Sequence, residues 1–231
     1  MGKASSAPSG SAADIPSPAG PKTLVQWYLL SYNQVSFLGW FWILFLTVSQ
    51  LVISGGNFAS VFDVVWPWLS VVQTAAIFEV IHAALGWVRA PLLTTTLQVI
   101  SRLFLVWGVN YMFPAIHTHW SFTTMVTAWS IAECVRYAYY TFHLASSVPA
   151  IISWARYTFF LVLYPAGVSS EIMMVYKALP YARQFHEAYF LALVIATFVY
   201  IPGFPLLFSH MLVQRKKYLR GNFKKAEKKA Q

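Results

Sequence analysis

The chain has 231 residues, of which 58% are hydrophobic and 10% are charged. Soluble domains carry about 25% charged residues, so this composition excludes an ordinary soluble fold and indicates that much of the surface faces lipid. The formal net charge is +9, but eight Lys or Arg residues and one Glu lie from Arg215 onward. A basic tail behind an apolar segment is typical of the cytosolic flank of a last membrane span, and not of a nucleic-acid surface.

Three regions follow from the hydropathy pattern. Residues 1–22 are rich in Ser, Ala, Pro and Gly and have no apolar block, which predicts a disordered leader. Residues 23–213 contain six stretches long and apolar enough to cross a bilayer, and residues 214–231 form the basic tail. The predicted spans are 31–53, 65–88, 96–113, 121–142, 153–176 and 187–212. The predicted fold is therefore an all-α polytopic membrane protein, a bundle of six transmembrane helices.

The basic residues predict the orientation of this bundle. An even number of spans places both termini on one side, and the tail, the second loop and the fourth loop carry Lys or Arg on that side. The first and third loops carry none, whereas Lys177 and Arg183 near the fifth loop depart from the pattern. We expect both termini to be cytosolic. Lys228 and Lys229 then match a dilysine signal, which predicts the endoplasmic reticulum membrane.

Several ionisable residues lie within the predicted spans, where charge is costly and usually functional. Glu133 and Arg136 are three residues apart and are able to pair on one helix face. This pattern fits either a polar cavity between helices or an ion pair that only neutralises itself. Glu79 and His82 have the same spacing, but their own span, 65–88, holds no Cys and no further His, and we expect no metal.

The fifth predicted span carries the most suggestive polar pair. Tyr164 and Glu171 are seven residues apart, which places them on one helix face about 10.5 Å apart along the axis. Pro165 and Gly167 lie between them and predict a kink. The pair fits a ligand-binding cavity, and it also fits a packing kink with a shielded carboxyl group.

The stretch from His82 to Arg89 reads HAALGWVR and is similar to the phosphate-binding motif of cysteine phosphatases. Ala83 occupies the position of the nucleophilic cysteine. Thiolate chemistry is therefore excluded at this stretch.

These segments together resemble the long-chain 3-hydroxyacyl-CoA dehydratase family, also called protein-tyrosine-phosphatase-like proteins. The resemblance is carried by segments 73–76, 79–82, 101–104, 129–137 and 163–171, with a weaker match at 200–203. The alanine at Ala83 fits a family named after a phosphatase-like motif that lacks its nucleophile. Ala166 departs from the Thr that many members have there, without touching either proposed catalytic group.

The resemblance implies an enzyme of very-long-chain fatty acid elongation in the endoplasmic reticulum. It would convert (3R)-3-hydroxyacyl-CoA to trans-2-enoyl-CoA, the third step of the cycle, without a cofactor. Its partners would be the condensing enzyme, the ketoacyl-CoA reductase and the enoyl-CoA reductase. The family's catalytic tyrosine and glutamate correspond to Tyr164 and Glu171.

An elimination of water needs a base at the carbon next to the thioester and an acid at the leaving hydroxyl. We assign Glu171 as the base and Tyr164 as the acid, because an unperturbed tyrosine is a poor base near neutral pH; the reverse assignment stays open. Arg136, Tyr137 and the backbone near Gly167 are candidates for stabilising the enolate-like oxygen.

The phosphates of CoA are expected at the cytosolic face, near Arg89, Arg102 or Arg156. The alternative function is a non-catalytic protein that binds acyl lipids or scaffolds the elongation enzymes.

Overall fold

The computed structural model describes residues 20–230, with side chains up to Arg220, and every regular element that it describes is helical. The predicted leader falls almost wholly on residues 1–19, outside the described part, and so do the side chains of Lys228 and Lys229. The eight α-helices are α1 (Leu24–Ile53), α2 (Val61–Ala75), α3 (Ile77–Ala84), α4 (Leu92–Leu103), α5 (Trp120–Ala145), α6 (Ala150–Arg156), α7 (Phe160–Phe185) and α8 (Glu187–Ala230). A π-helix, Phe104–Tyr111, continues α4.

The first helix has clear sequence signals at both ends. The Thr23 side chain accepts a hydrogen bond from the backbone N–H of Gln26, and the Gln26 side chain bonds back to the Thr23 N–H, which forms a capping box. The helix ends before Gly55 and Gly56, whose φ angles of +65° and +90° lie in the left-handed region. Glycine adopts this region at little cost, so the chain turns there towards α2.

Among the described residues, four helical segments are long and apolar enough to cross a membrane: Leu24–Ile53, Phe58–Ala84, Leu92–Tyr111 and Glu187–Arg220. The helices α6 and α7, bent by 41° at a short break, form a fifth if they are counted as one. The prediction of an all-helical protein with several apolar helices is confirmed. α5 falls outside this set because Thr, Ser and charged side chains lower its hydropathy.

α5 is nevertheless the centre of the bundle. It packs against both α1 and α7, and α8 packs against α7. Phe122, Met125, Val126 and Trp129 of α5 are buried in the main apolar core. α5 thus encloses its polar side chains, which places its charged groups between helices and not on the outer surface.

A kink is predicted at Pro165 and Gly167, and the structure has a bend of 41° before both residues. α7 continues through both residues, and the bend lies earlier, at residues 157–159. Backbone N–H groups at the bend remain paired, for example Thr158 and Phe159 with the Ala155 carbonyl at 3.2 and 2.9 Å. Because these bonds satisfy the bend locally, it needs no polar cavity to receive freed backbone groups.

Side chains support the π-helix after α4. The buried Asn110 amide donates to the Leu105 carbonyl at 2.8 Å, and the Tyr189 hydroxyl of α8 donates to the Gly108 carbonyl. A π-helix is rare and is seldom longer than one turn, so these two side-chain hydrogen bonds help to stabilise it. The contact from Tyr189 also fixes α8 beside this segment.

Candidate active site

The carboxylate of Glu171 lies where three helices meet. Its Oε1 atom accepts a hydrogen bond of 2.8 Å from the indole N–H of Trp129 on α5, and its Oε2 atom accepts one of 2.9 Å from the hydroxyl of Tyr200 on α8. Glu171 itself is on α7. Each oxygen thus has one neutral donor from a different neighbouring helix, which fixes the carboxylate in one orientation.

The ring of Tyr164 is held by the same face of α8. It lies nearly parallel to Phe204 at 5.1 Å between ring centroids and to Phe208 at 6.1 Å, with interplanar angles of 12° and 10°. Tyr200, Phe204 and Phe208 are spaced by four residues and therefore share one face, which we call the α8 aromatic face. This face holds Glu171 through its tyrosine and Tyr164 through its two phenylalanines.

Gly167 lies one turn before Glu171, buried against α5. A Cβ atom added there would lie 3.8 Å from the Cβ of Ala128 and 3.9 Å from Oε1 of Glu171, both ordinary van der Waals distances. The residue is inside a regular helix, where backbone N–H groups bond within the helix. An alanine would therefore fit at this position, and the packing of α7 against α5 beside the carboxylate does not require glycine.

A cluster of ion pairs lies next to this group. Arg136 donates two hydrogen bonds to Glu79, at 2.8 and 2.7 Å, and one to Glu133, at 2.6 Å. The predicted pairing of Glu133 with Arg136 is confirmed. Arg102 also pairs with Glu133, and the Tyr137 hydroxyl donates to Glu79. The cluster joins α3, α4 and α5, and the structure directs Arg136 and Tyr137 towards Glu79 and not towards Glu171.

Arg102 connects the two groups. Its guanidinium carbon lies 4.9 Å from the ring centroid of Trp129, while one of its nitrogens pairs with Glu133. A cation over an indole face is attracted by the electron-rich ring. Arg102 is therefore the predicted substrate-binding arginine that the structure brings beside the partners of Glu171.

The other two candidate arginines lie elsewhere. Arg156 ends α6, with its guanidinium carbon 4.4 Å from the ring centroid of Tyr139 and 4.9 Å from that of Tyr140. Arg89 is exposed in the connection between α3 and α4. Neither contacts the Glu171 group in the described part of the chain.

The phosphatase-like stretch forms an aromatic contact instead of an anion cradle. His82 is buried, lies 3.0 Å from the Tyr28 hydroxyl and meets the ring of Tyr32 edge-on at 4.8 Å. Glu79, which was considered with His82 as a metal ligand, forms an ion pair with Arg136. His82 and Glu79 thus serve different contacts.

Trp129 and Tyr200 are the functional residues that sequence reasoning missed. Both lie in the segments that carry the family resemblance, but neither was assigned a role. Each carries one polar group in an apolar span, the indole N–H or the phenol O–H. A buried group of this kind needs a hydrogen-bond partner, and that need was the available signal. The spacing within one helix does not reveal that the partner is a carboxylate on another helix.

Comparison with known proteins identifies related sequences. The family model described as "Protein tyrosine phosphatase-like protein, PTPLA" matches residues 73–221. The chain is 37% identical to very-long-chain (3R)-3-hydroxyacyl-CoA dehydratase PASTICCINO 2 of Arabidopsis thaliana, over 83% of this chain and 92% of the relative. It is 37% identical to very-long-chain (3R)-3-hydroxyacyl-CoA dehydratase 2 of Homo sapiens, over 83% and 80%, and 38% identical to very-long-chain (3R)-3-hydroxyacyl-CoA dehydratase hpo-8 of Caenorhabditis elegans, over 88% and 99%. No solved structure matches the chain.

Proposed function

Because this chain belongs to the protein tyrosine phosphatase-like (PTPLA) family, we infer that it is a very-long-chain (3R)-3-hydroxyacyl-CoA dehydratase like its relatives. It removes water from (3R)-3-hydroxyacyl-CoA to form trans-2-enoyl-CoA, the dehydration step of fatty acid elongation. The observation that carries this inference at the site is the Glu171 carboxylate, held by Trp129 and Tyr200 on the helix face that also presents Tyr164.

The elimination uses two proton transfers. Glu171 takes a proton from C2 of the substrate, the C2–H electron pair forms the double bond, and the C3–O bond breaks. Tyr164 gives its phenolic proton to the departing hydroxide, which leaves as water. A proton then returns from Glu171 to Tyr164 and restores both groups. Glu171 suits the role of base because hydrogen bonds from Trp129 and Tyr200 hold its two oxygens in a fixed orientation.

Charge that develops on the thioester oxygen needs a donor. Arg102 is our candidate because it lies over Trp129, directly beside the Glu171 group. Arg136 and Tyr137 already donate to Glu79, so they act through the ion-pair cluster. A donor aimed at developing charge in a dry site is often the largest single catalytic contribution.

The direct test of this function uses the purified, unaltered protein. Incubated with a long-chain (3R)-3-hydroxyacyl-CoA, it is expected to form the trans-2-enoyl-CoA, seen as the loss of one water by mass spectrometry. The (3S) substrate is expected to react far more slowly. Binding of the (3R) substrate without any turnover would favour the non-catalytic lipid-binding alternative.

For this enzyme we propose a topology with six membrane spans and both termini in the cytosol. α5 serves as the sixth span because its 26 residues extend about 39 Å, more than the thickness of the hydrocarbon core. Lys228 and Lys229 support retention in the endoplasmic reticulum, beside the condensing enzyme and the two reductases. Glu171 then lies deep in the bilayer, which suits an acyl chain that enters between helices.

Glycosylation mapping tests this topology. A tagged N-glycosylation acceptor inserted at residues 55–57 is expected to be modified, because that connection faces the lumen. The same tag inserted at residues 146–149 or after Gln231 is expected to stay unmodified. Modification in the opposite pattern would invert the orientation, and modification of both connections would remove α5 from the set of spans.

The hydroxyl of Tyr200 is expected to contribute to turnover. Replacing Tyr200 with Phe removes one of the two donors that orient Glu171, and we expect kcat to fall about tenfold with KM nearly unchanged. The measurement is steady-state dehydration with the (3R) substrate.

Tyr189→Phe is the matched control for this change. It removes a phenol from the same helix, but that phenol bonds the Gly108 carbonyl and not the carboxylate. Its kcat is expected to equal that of the unaltered protein. Equal losses in the two variants would indicate a general packing effect of α8 and refute a specific role of Tyr200.

A further inference from the structure

Arg156 is held in a prepared orientation at one end of the bundle. Its guanidinium group lies over the rings of Tyr139 and Tyr140 and donates to the Tyr140 hydroxyl at 3.3 Å. Stacking on two aromatic rings restricts the side chain while leaving most of its five N–H donors available. This is the geometry of an arginine ready for a planar, bidentate contact.

A second arginine lies at the same end. Tyr157, the residue after Arg156, stacks on Tyr218 of α8 at 4.4 Å between centroids. Arg215 is one turn before Tyr218 and therefore on the same face of α8. Its Nε atom is buried and has no hydrogen-bond partner among the residues whose side chains are described. A buried donor without an acceptor is rare, and a bound anion would satisfy it.

Three other arginines are paired with a carboxylate, whereas Arg89 and Arg220 are simply exposed to solvent. Arg102 and Arg136 pair with carboxylates inside the bundle, and Arg183 lies 3.8 Å from Glu187. Within the described side chains, neither Arg156 nor Arg215 has a carboxylate partner. A pair of uncompensated guanidinium groups at a helix junction attracts a multiply charged anion.

We propose that Arg156 and Arg215 bind the diphosphate of the CoA thioester. This inference rests on the proposed dehydratase function and specifies where the polar end of its substrate is held. Arg156 is eight residues before Tyr164 and fifteen before Glu171, so the distances along the chain axis are at most about 12 and 22 Å, because α6 and α7 are bent by 41° between them. The phosphopantetheine arm is a long, flexible chain that then runs from the diphosphate beside α7 to the reacting carbons.

The test compares two substrates on the same protein. One is a (3R)-3-hydroxyacyl-CoA, and the other is the matching 3-hydroxyacyl-pantetheine thioester, which has the same reacting atoms without the diphosphate. For the unaltered protein we expect KM to be about 10- to 100-fold lower for the CoA ester, with similar kcat. This advantage is expected to shrink as salt is raised.

Arg156→Gln and Arg215→Gln are each expected to raise KM for the CoA ester about tenfold or more and to leave the kinetics with the pantetheine ester unchanged. Activity with the pantetheine ester also reports that each variant is folded. Lys217→Gln is the matched control, because Lys217 is an exposed cation on another face of α8. Its KM for both esters is expected to stay as in the unaltered protein.

Three results overturn the proposal. Equal KM values for the two esters in the unaltered protein would show that the diphosphate is not bound, while dehydration itself stands. A loss in the arginine variants that is the same for both esters would indicate a structural role. Absence of turnover with either ester would remove the dehydratase function and the proposal with it.

Discussion

Replacing Glu171 with Gln is expected to lower kcat about 10²- to 10⁴-fold, the usual contribution of a positioned general base. The amide cannot take a proton from C2. It also offers one acceptor oxygen where Trp129 and Tyr200 each need one, so one of these donors loses its partner. Binding of the substrate is expected to persist, because the acyl chain and the CoA moiety make most contacts elsewhere.

Glu187→Gln provides the matched control. It makes the same chemical change on α8, at a side chain that is 72% exposed and lies outside the site. Its kcat is expected to equal that of the unaltered protein. Full activity of the Glu171→Gln variant would contradict the assignment of Glu171 as the base.

The second large effect concerns stability. Replacing Arg136 with Met leaves Glu79, whose side chain is only 16% exposed, without its cation, and leaves Glu133 with Arg102 alone. Removing one partner from a buried ion pair costs about 3–5 kcal/mol, because a charge stays buried without compensation. We expect the free energy of unfolding in detergent to fall by about this amount. Arg136→Lys is expected to lose less, since it keeps the charge but not the bidentate contact with Glu79.

Arg183→Met is the comparison for this prediction. Arg183 and Glu187 are 68% and 72% exposed and lie 3.8 Å apart, so breaking this pair is expected to cost less than about 1 kcal/mol. Combining Arg136→Met with neutral amides at Glu79 and Glu133 is expected to recover part of the loss. If the Arg136 and Arg183 variants are equally stable, the cluster does not hold α3 to α5.

Local features of the site were accessible from the sequence because they depend on helix geometry alone. The seven-residue spacing of Tyr164 and Glu171 and the three-residue spacing of Glu133 and Arg136 each place two side chains on one face. Apolar stretches likewise predicted most helices. The family resemblance supplied the catalytic roles, which spacing does not provide.

Contacts between helices were not accessible in the same way. Periodicity predicts which face of a helix is shared, but not which neighbouring helix covers that face. The hydrogen bonds from Trp129 and Tyr200 to the Glu171 carboxylate join residues that are 42 and 29 positions apart, and the sequence pattern did not predict them. The same limit applies to Glu79, which lies 57 residues from Arg136.

The bend before α7 shows a different limit. Pro165 and Gly167 predict a kink at their own positions, but the bend of 41° lies earlier, at residues 157–159. Those three residues include neither proline nor glycine. The residue types that usually mark a bend therefore do not mark this one.

The most direct test of the central claim is a double-variant cycle of kcat/KM for Glu171→Gln, Tyr164→Phe and the two changes combined. Because both residues serve one elimination, each single change is expected to remove most of the catalysis, and the combined variant to be about as slow as the slower single variant. Losses that multiply in the combined variant would contradict this account, because they would show that Glu171 and Tyr164 act independently.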